Sequence, residues 1–157
     1  MMTHAVERSQ EPGLLPPTYW FGCALLMVAA HALVPVFRWG SPPATWLGLA
    51  LFAAAIGLAG WAGWTFRRHD TTVHPFEETT RLVTGGPYRY SRHPMYLGLA
   101  TALVGLAFVL GSLTPILVLP LFLWLITTRF IEPEDRALEA RFGDEFRTWS
   151  ARVRRWL

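Results

Sequence analysis

Four apolar runs leave this chain few ways to fold. They cover Thr18 to Phe37, Ala44 to Phe66, Met95 to about Gly111, and Ile116 to Ile131. About 20 apolar residues cross a hydrocarbon core of roughly 30 Å as a helix that satisfies its own backbone polar groups. The expected fold class is therefore an all-α integral membrane protein with about four transmembrane helices, at 18–37, 44–66, 95–111 and 116–131. A length of 157 residues, 52% of them hydrophobic and 16% charged, suits one membrane-embedded domain over residues 1–157. The polar connection 67–94 and the tail 133–157 are the parts left over for water.

The first run follows a polar lead, Met1 to Pro17, that contains Glu7 and Glu11, so it reads as a retained span and not a signal peptide. His31 and Pro35 interrupt its far end, and His31 reads as a hydrogen-bonded or interfacial side chain. The single cysteine, Cys23, excludes an internal disulfide and suits a small core position. In the second run, Ala53 with Gly57, Ala55 with Ala59, and Ala59 with Gly63 share helix faces where backbones can approach closely. Pro120 is a candidate kink in the fourth.

All 14 basic residues are Arg, and they are unevenly placed. Arg67, Arg68, Arg81, Arg89 and Arg92 lie between the second and third runs, and another group follows the fourth, whereas Arg38 stands alone in the remaining connections. The positive-inside rule puts the 67–94 connection and both termini in the cytoplasm. A net charge of +3 held in two such places argues for contact with membrane lipids and against nucleic-acid binding.

The tail is expected to be amphipathic. Leu138, Phe142, Phe146, Trp149, Val153 and Trp156 recur at steps of three or four, opposite Arg147, Arg152, Arg154 and Arg155, which suit an anionic leaflet. Pro133 fits a first helical position, and Glu134 and Asp135 a first turn, where the helix dipole favours negative charge. Gly143 before Asp144 divides the tail into two short helices.

Polar chemistry concentrates in Gly85-Gly86-Pro87-Tyr88-Arg89-Tyr90-Ser91-Arg92-His93-Pro94-Met95-Tyr96-Leu97-Gly98, at the mouth of the third run. A topology signal with Tyr at the headgroup level explains part of it; a functional site on the same side as Glu134 explains the rest. His69 and His74 are five apart, without the i, i+4 geometry of helical zinc pairs, so no metal site is expected. Gly85-Gly86 reads as a turn, not a phosphate-binding loop, and no nucleophile triad is arguable.

The two blocks LVTGGPYRYSRHPMYLG and EDRALEARFGDEFRTWSARVRRWL resemble the isoprenylcysteine carboxyl methyltransferase and phospholipid methyltransferase superfamily over roughly Asp70 to Leu157. The resemblance implies a membrane enzyme that uses S-adenosyl-L-methionine on a lipophilic, membrane-resident acceptor, with the active site cytoplasmic. It further implies a cofactor site made of Thr80, Arg81, Leu82, Val83, Tyr88, His93, Pro94, Met95, Tyr96 and Glu134, with His93 and Glu134 as the catalytic pair. Three departures stand out: Asp135 where the family has a second Glu, Phe146 where it has Tyr, and Phe130 where the carboxyl-methylating branch has Arg. Arg129 is the replacement candidate for meeting substrate, although it points about 100° away on a helix.

Methyl transfer from a sulfonium needs mainly alignment, and a general base only if the acceptor is a protonated amine. Three other readings remain at this stage: a phospholipid amine N-methyltransferase, an NADPH-dependent membrane reductase of the sterol type with its similar R-H-P-x-Y segment, and a non-enzymatic scaffold. Nothing in the chain bears on oligomeric state.

Overall fold

The computed structural model describes residues 15–68 and 82–157, and among these every regular element is helical. Helix α1 is Pro16–Leu33, α2 is Pro42–Arg68 and α3 is Pro94–Leu110. A 3-10 turn at Thr114–Val118, α4 at Leu119–Ile126, a π turn at Thr127–Ile131 and α5 at Glu132–Phe142 join without a break, and α6 is Asp144–Ser150. Two helices are long and apolar enough to cross a membrane, α2 and the continuous Thr114–Phe142, while α3 is apolar and shorter. Leu25, Ile56 and Leu117 turn outward, 71%, 68% and 71% exposed, as lipid-facing side chains would.

Two expected boundaries move. The first helix ends at Leu33 and not Phe37, because the residue before Pro35 is driven out of the helical region. Residues 34–39 turn instead, and bind the turn after α3: Trp39 N–H donates to the Gly111 carbonyl at 3.0 Å and Leu113 N–H to the Val36 carbonyl at 2.9 Å. His31 Nδ1 lies 2.8 Å from Ser112 Oγ across the same junction, the hydrogen-bonded role expected of it.

The second change matters more for function. No separate tail helix begins at Pro133; the apolar 114–131 stretch runs straight into α5. Pro133 has no N–H to give the Arg129 carbonyl one turn earlier, and the helix absorbs the loss by widening to a π turn over Thr127–Ile131. Glu134 and Asp135 therefore stand on a rigid helix one step beyond its apolar part. Gly143, at φ +51°, then ends α5 as the sequence predicts.

Helices α2 and α3 form the tightest contact. A Cβ added to Gly105 would lie 2.7 Å from the Gly48 carbonyl oxygen, and one on Gly98 would lie 3.1 Å from that of Ala55. Gly48, Ala55 and Ala62 are buried at intervals of seven, a coiled-coil-like seam. Of the small-residue pairs read from sequence, only Ala55 with Ala59 lies against α3; Ala53 is exposed, and Gly57 and Gly63 have nothing near their Cβ positions. The main core sits between α1, α3 and α4, where Met27, Leu103, Phe122 and Ile126 are fully buried, with Cys23 beside them. Trp20 Nε1–H donates to the Leu99 carbonyl at 3.0 Å and ties α1 to α3.

Candidate functional site

The end of the bundle opposite the 34–39 turn gathers the loop that precedes α3, the start of α5 and the chain after α6. His93 caps α3, with its ring buried and its backbone N–H donating to Ser91 Oγ at 3.2 Å. Its Nε2 lies 3.0 Å from Asp135 Oδ1 and its Nδ1 lies 3.7 Å from Glu134 Oε2. Tyr96, one turn into α3, donates its hydroxyl to Glu134 Oε2 at 3.2 Å and lies alongside the His93 ring at 5.8 Å between centroids. Adjacent carboxylates on α5 thus straddle a single imidazole.

Their surroundings differ. Asp135 is buried, with Arg92 Nη1 at 3.4 Å and Arg155 Nε at 3.2 Å from its Oδ2. Burial by itself would raise its carboxyl, but the His93 hydrogen bond and the two guanidinium groups override burial and hold it below the ordinary carboxylate range. The Glu134 side chain is 39% exposed and keeps part of its carboxylate open to a ligand. Within this cluster, two guanidinium groups match the charge of Asp135, while Glu134 meets only a phenol and an imidazole.

An apolar wall stands beside this pair. Val83 and Tyr88 are buried with Ala62, and Phe66, Met95 and Trp149 pack against them. Tyr88 meets Phe66 edge to face at 5.0 Å. Burial first, and the Glu134 charge second, raise its phenol well above the ordinary tyrosine value, so the hydroxyl stays neutral. The tail clamps the loop through three hydrogen bonds: Trp149 Nε1–H to the Tyr88 carbonyl at 3.3 Å, Arg92 N–H to the Arg154 carbonyl at 3.0 Å, and Ser91 Oγ–H to the Arg155 carbonyl at 3.3 Å.

The structure brings together Val83, Tyr88, His93, Met95, Tyr96 and Glu134 from the sequence-predicted set, with Pro94 buried at the first turn of α3 and Leu82 half-buried next to Val83. Thr80 and Arg81 lie outside the described residues, as do His69 and His74. Arg129 is exposed in the π turn, while its neighbour Phe130 turns inward to meet Tyr19 at 5.4 Å and Tyr96 at 6.3 Å. Arg155, expected on the leaflet-facing side of an amphipathic tail, instead turns in to Asp135.

Residues 43–145 match the family described as phospholipid methyltransferase, about two-thirds of the chain. The chain belongs to the phospholipid methyltransferase family. Curated relatives match part of its length. The protein-S-isoprenylcysteine O-methyltransferase of Schizosaccharomyces pombe is 35% identical over 72 residues, 46% of this chain and 30% of that one. A probable enzyme of the same name from Oryza sativa subsp. indica is 31% identical over 85 residues, 54% of this chain and 44% of that one. The nickel-cobalt-cadmium resistance protein NccN of Alcaligenes xylosoxydans xylosoxydans is 32% identical over 101 residues, 64% of this chain and 46% of that one. The chain spans less than half the length of these three relatives. No solved structure matches it.

Within a phospholipid methyltransferase-family chain, motif reading reaches Glu134 and His93 but passes over Asp135, Arg92 and Arg155. The signal available was weak: an acidic residue next to Glu134, and Arg residues whose number already had a topological explanation. Only their convergence on one buried carboxylate separates them from the other Arg of the chain.

Proposed function

We propose that this family member is an S-adenosylmethionine-dependent methyltransferase that acts on a lipophilic acceptor at the cytoplasmic membrane face. The observation that carries the reading is the half-open Glu134 carboxylate, fixed by Tyr96 and His93 at the water end of apolar helices. The donor set suits the cofactor. A carboxylate accepts charge-assisted hydrogen bonds from an ammonium or ribose hydroxyls. Tyr88 and Tyr96 offer neutral π faces to a sulfonium, each worth about 0.5–2 kcal/mol depending on desolvation. Val83 and Met95 add apolar contact, and Leu82 and Pro94, with Thr80 and Arg81 before them, complete the expected wall.

When bound, S-adenosylmethionine supplies an activated methyl group, so the chain has chiefly to bind, orient and exclude water. Glu134 anchors the cationic part. The buried Tyr88 and Val83, with Trp149 packed against them, keep water from one side of the site. An acceptor that arrives as a carboxylate needs no base; one that arrives as a protonated amine gives its proton to the His93 Nδ1 edge. The acceptor's apolar part has a place to lie: an open groove of about 280 Å³ between α1 and α4, lined by Tyr19, Gly22, Leu26, Leu121 and Leu125. Tyr19 also packs on Phe130, which packs on Tyr96, so the groove adjoins the site. Arg129 faces outward nearby, where a carboxylate or phosphate headgroup would meet it.

Four spans with both termini cytoplasmic complete this reading, with residues 1–157 acting as one domain. The test is ligand binding to purified, detergent-solubilised protein. Saturable binding of S-adenosylmethionine or S-adenosylhomocysteine, lost in Glu134→Ala, is the expected result. Preferential NADPH binding would replace the reading with reduction, and binding of neither would replace it with a scaffold role. Labelled methyl donor incubated with total membrane lipid then identifies the acceptor, a prenylated carboxylate or, in the alternative, a phospholipid amine.

A further inference from the structure

Among the described residues, Asp135 is the buried carboxylate with the most partners, and cofactor binding as proposed above makes no use of it. It receives His93 Nε2 on one oxygen and Arg92 and Arg155 on the other. These partners come from the loop before α3 and from the chain after α6, while Asp135 itself stands on α5. Glu134 is its sequence neighbour but meets the other edge of the His93 ring, and Glu132 shares Arg155 at 3.9 Å.

A carboxylate paired with two guanidinium groups is an acceptor only, so the hydrogen it shares with His93 belongs to the imidazole Nε2. The partner on one ring nitrogen sets the tautomer, and with it what the other nitrogen can do. We propose that Asp135, held by Arg92 and Arg155, is a positioning residue that keeps the His93 proton on Nε2 and so presents a proton-accepting Nδ1 to the site. The role rests on the methyltransferase reading only for its consequence in turnover; the tautomer itself is a property of the folded chain. It also gives the segment after α6 a part in the site, since Arg155 completes the set while Ser91 and Arg92 hold its backbone.

Side-chain ¹⁵N NMR of histidine-labelled, detergent-solubilised full chain tests it. The chain has five His, and the His93 signal is assigned as the one lost in His93→Gln. The expected result is an Nε2-protonated ring in the wild type and in Asp135→Glu, and a tautomer mixture or an Nδ1-protonated ring in Asp135→Asn. With an amine acceptor, methyl transfer should fall by up to roughly 100-fold in kcat for Asp135→Asn, with donor KM little changed and recovery in Asp135→Glu, whereas a carboxylate acceptor, which needs no base, should leave kcat little changed. A wild-type His93 protonated on Nδ1 overturns the proposal, and that spectrum decides even if Asp135→Asn does not fold. An unchanged tautomer in a folded Asp135→Asn overturns it as well. If the tautomer follows Asp135 but no methyl transfer is found with any lipid, the positioning role stands and the functional reading falls.

Discussion

The contact between α2 and α3 predicts opposite outcomes for one chemical change made at two glycines. Replacing a helical glycine by alanine removes unfolded-chain freedom and gains about 0.8–1 kcal/mol where the methyl has room. At Gly60 of α2 nothing lies within 4 Å of the new methyl, so Gly60→Ala should realise that gain. At Gly105 the methyl would sit 2.7 Å from the Gly48 carbonyl oxygen and 3.2 Å from the Phe52 nitrogen. Both obstacles are backbone, so no rotamer change relieves them and the helices must part. Overpacking of this kind costs about 1–3 kcal/mol, and because backbone opposes backbone the upper part of that range applies. Less the propensity gain, Gly105→Ala should lose about 1–2 kcal/mol. For a chain of this size each kcal/mol moves the melting midpoint by about 2–4 °C. Thermal unfolding in one detergent should therefore show Gly60→Ala rising by about 2–4 °C and Gly105→Ala falling by about 2–8 °C. Should both midpoints rise alike, α2 and α3 do not meet backbone to backbone at Gly48 and Gly105, and the account of the fold is wrong there.

Glu134→Gln preserves shape and leaves Tyr96 an oxygen to donate to, so stability should hold while donor affinity drops roughly 10- to 100-fold, the worth of a hydrogen bond to a charged group at about 1.5–3 kcal/mol; isothermal calorimetry reads both enthalpy and affinity. Because the folded state holds the Asp135 carboxyl below its ordinary value, its contribution to stability is full above the unfolded value near about 4 and is lost as pH falls through the folded one. Melting curves taken from pH 5 downward should therefore drop more steeply for the wild type than for Asp135→Asn, and equal slopes would contradict the ion cluster. Trp149→Phe removes the hydrogen bond to the Tyr88 carbonyl yet keeps much of the packing, so a stability loss of about 1 kcal/mol is expected; a change within experimental error would mean that the tail does not clamp the loop.

The adjacent carboxylates Glu134 and Asp135 near the start of α5 mark where sequence reading stops. Motif and dipole arguments place Glu134 and Asp135 together at a helix start, and on that basis Glu134 is the one that matters. Adjacent helix positions point about 100° apart, so each meets different neighbours, and those neighbours lie on other segments. His93 is 42 residues from Asp135 and Arg155 is 20, distances over which no helical period carries information. Arg92 looked like a topology signal because it is one of five Arg in the connection between the second and third apolar runs.

Apolar run length, by itself, determined that these segments are helical and where the first three helices lie to within a few residues, since a helix in hydrocarbon must satisfy its own backbone polar groups. Proline and glycine chemistry likewise set the break at Pro35 and the turn at Gly143. The seam of Gly48, Ala55 and Ala62 was equally present as a spacing of seven, but its partners Gly98 and Gly105 become visible only when α3 lies against it. Tertiary structure alone decided that the fourth helix continues through Pro133, that Asp135 is buried while Glu134 stays half open, and that Arg155 folds back to meet it. A sequence pattern reports which face of one element is apolar; which element covers that face depends on packing and charge pairing between distant segments.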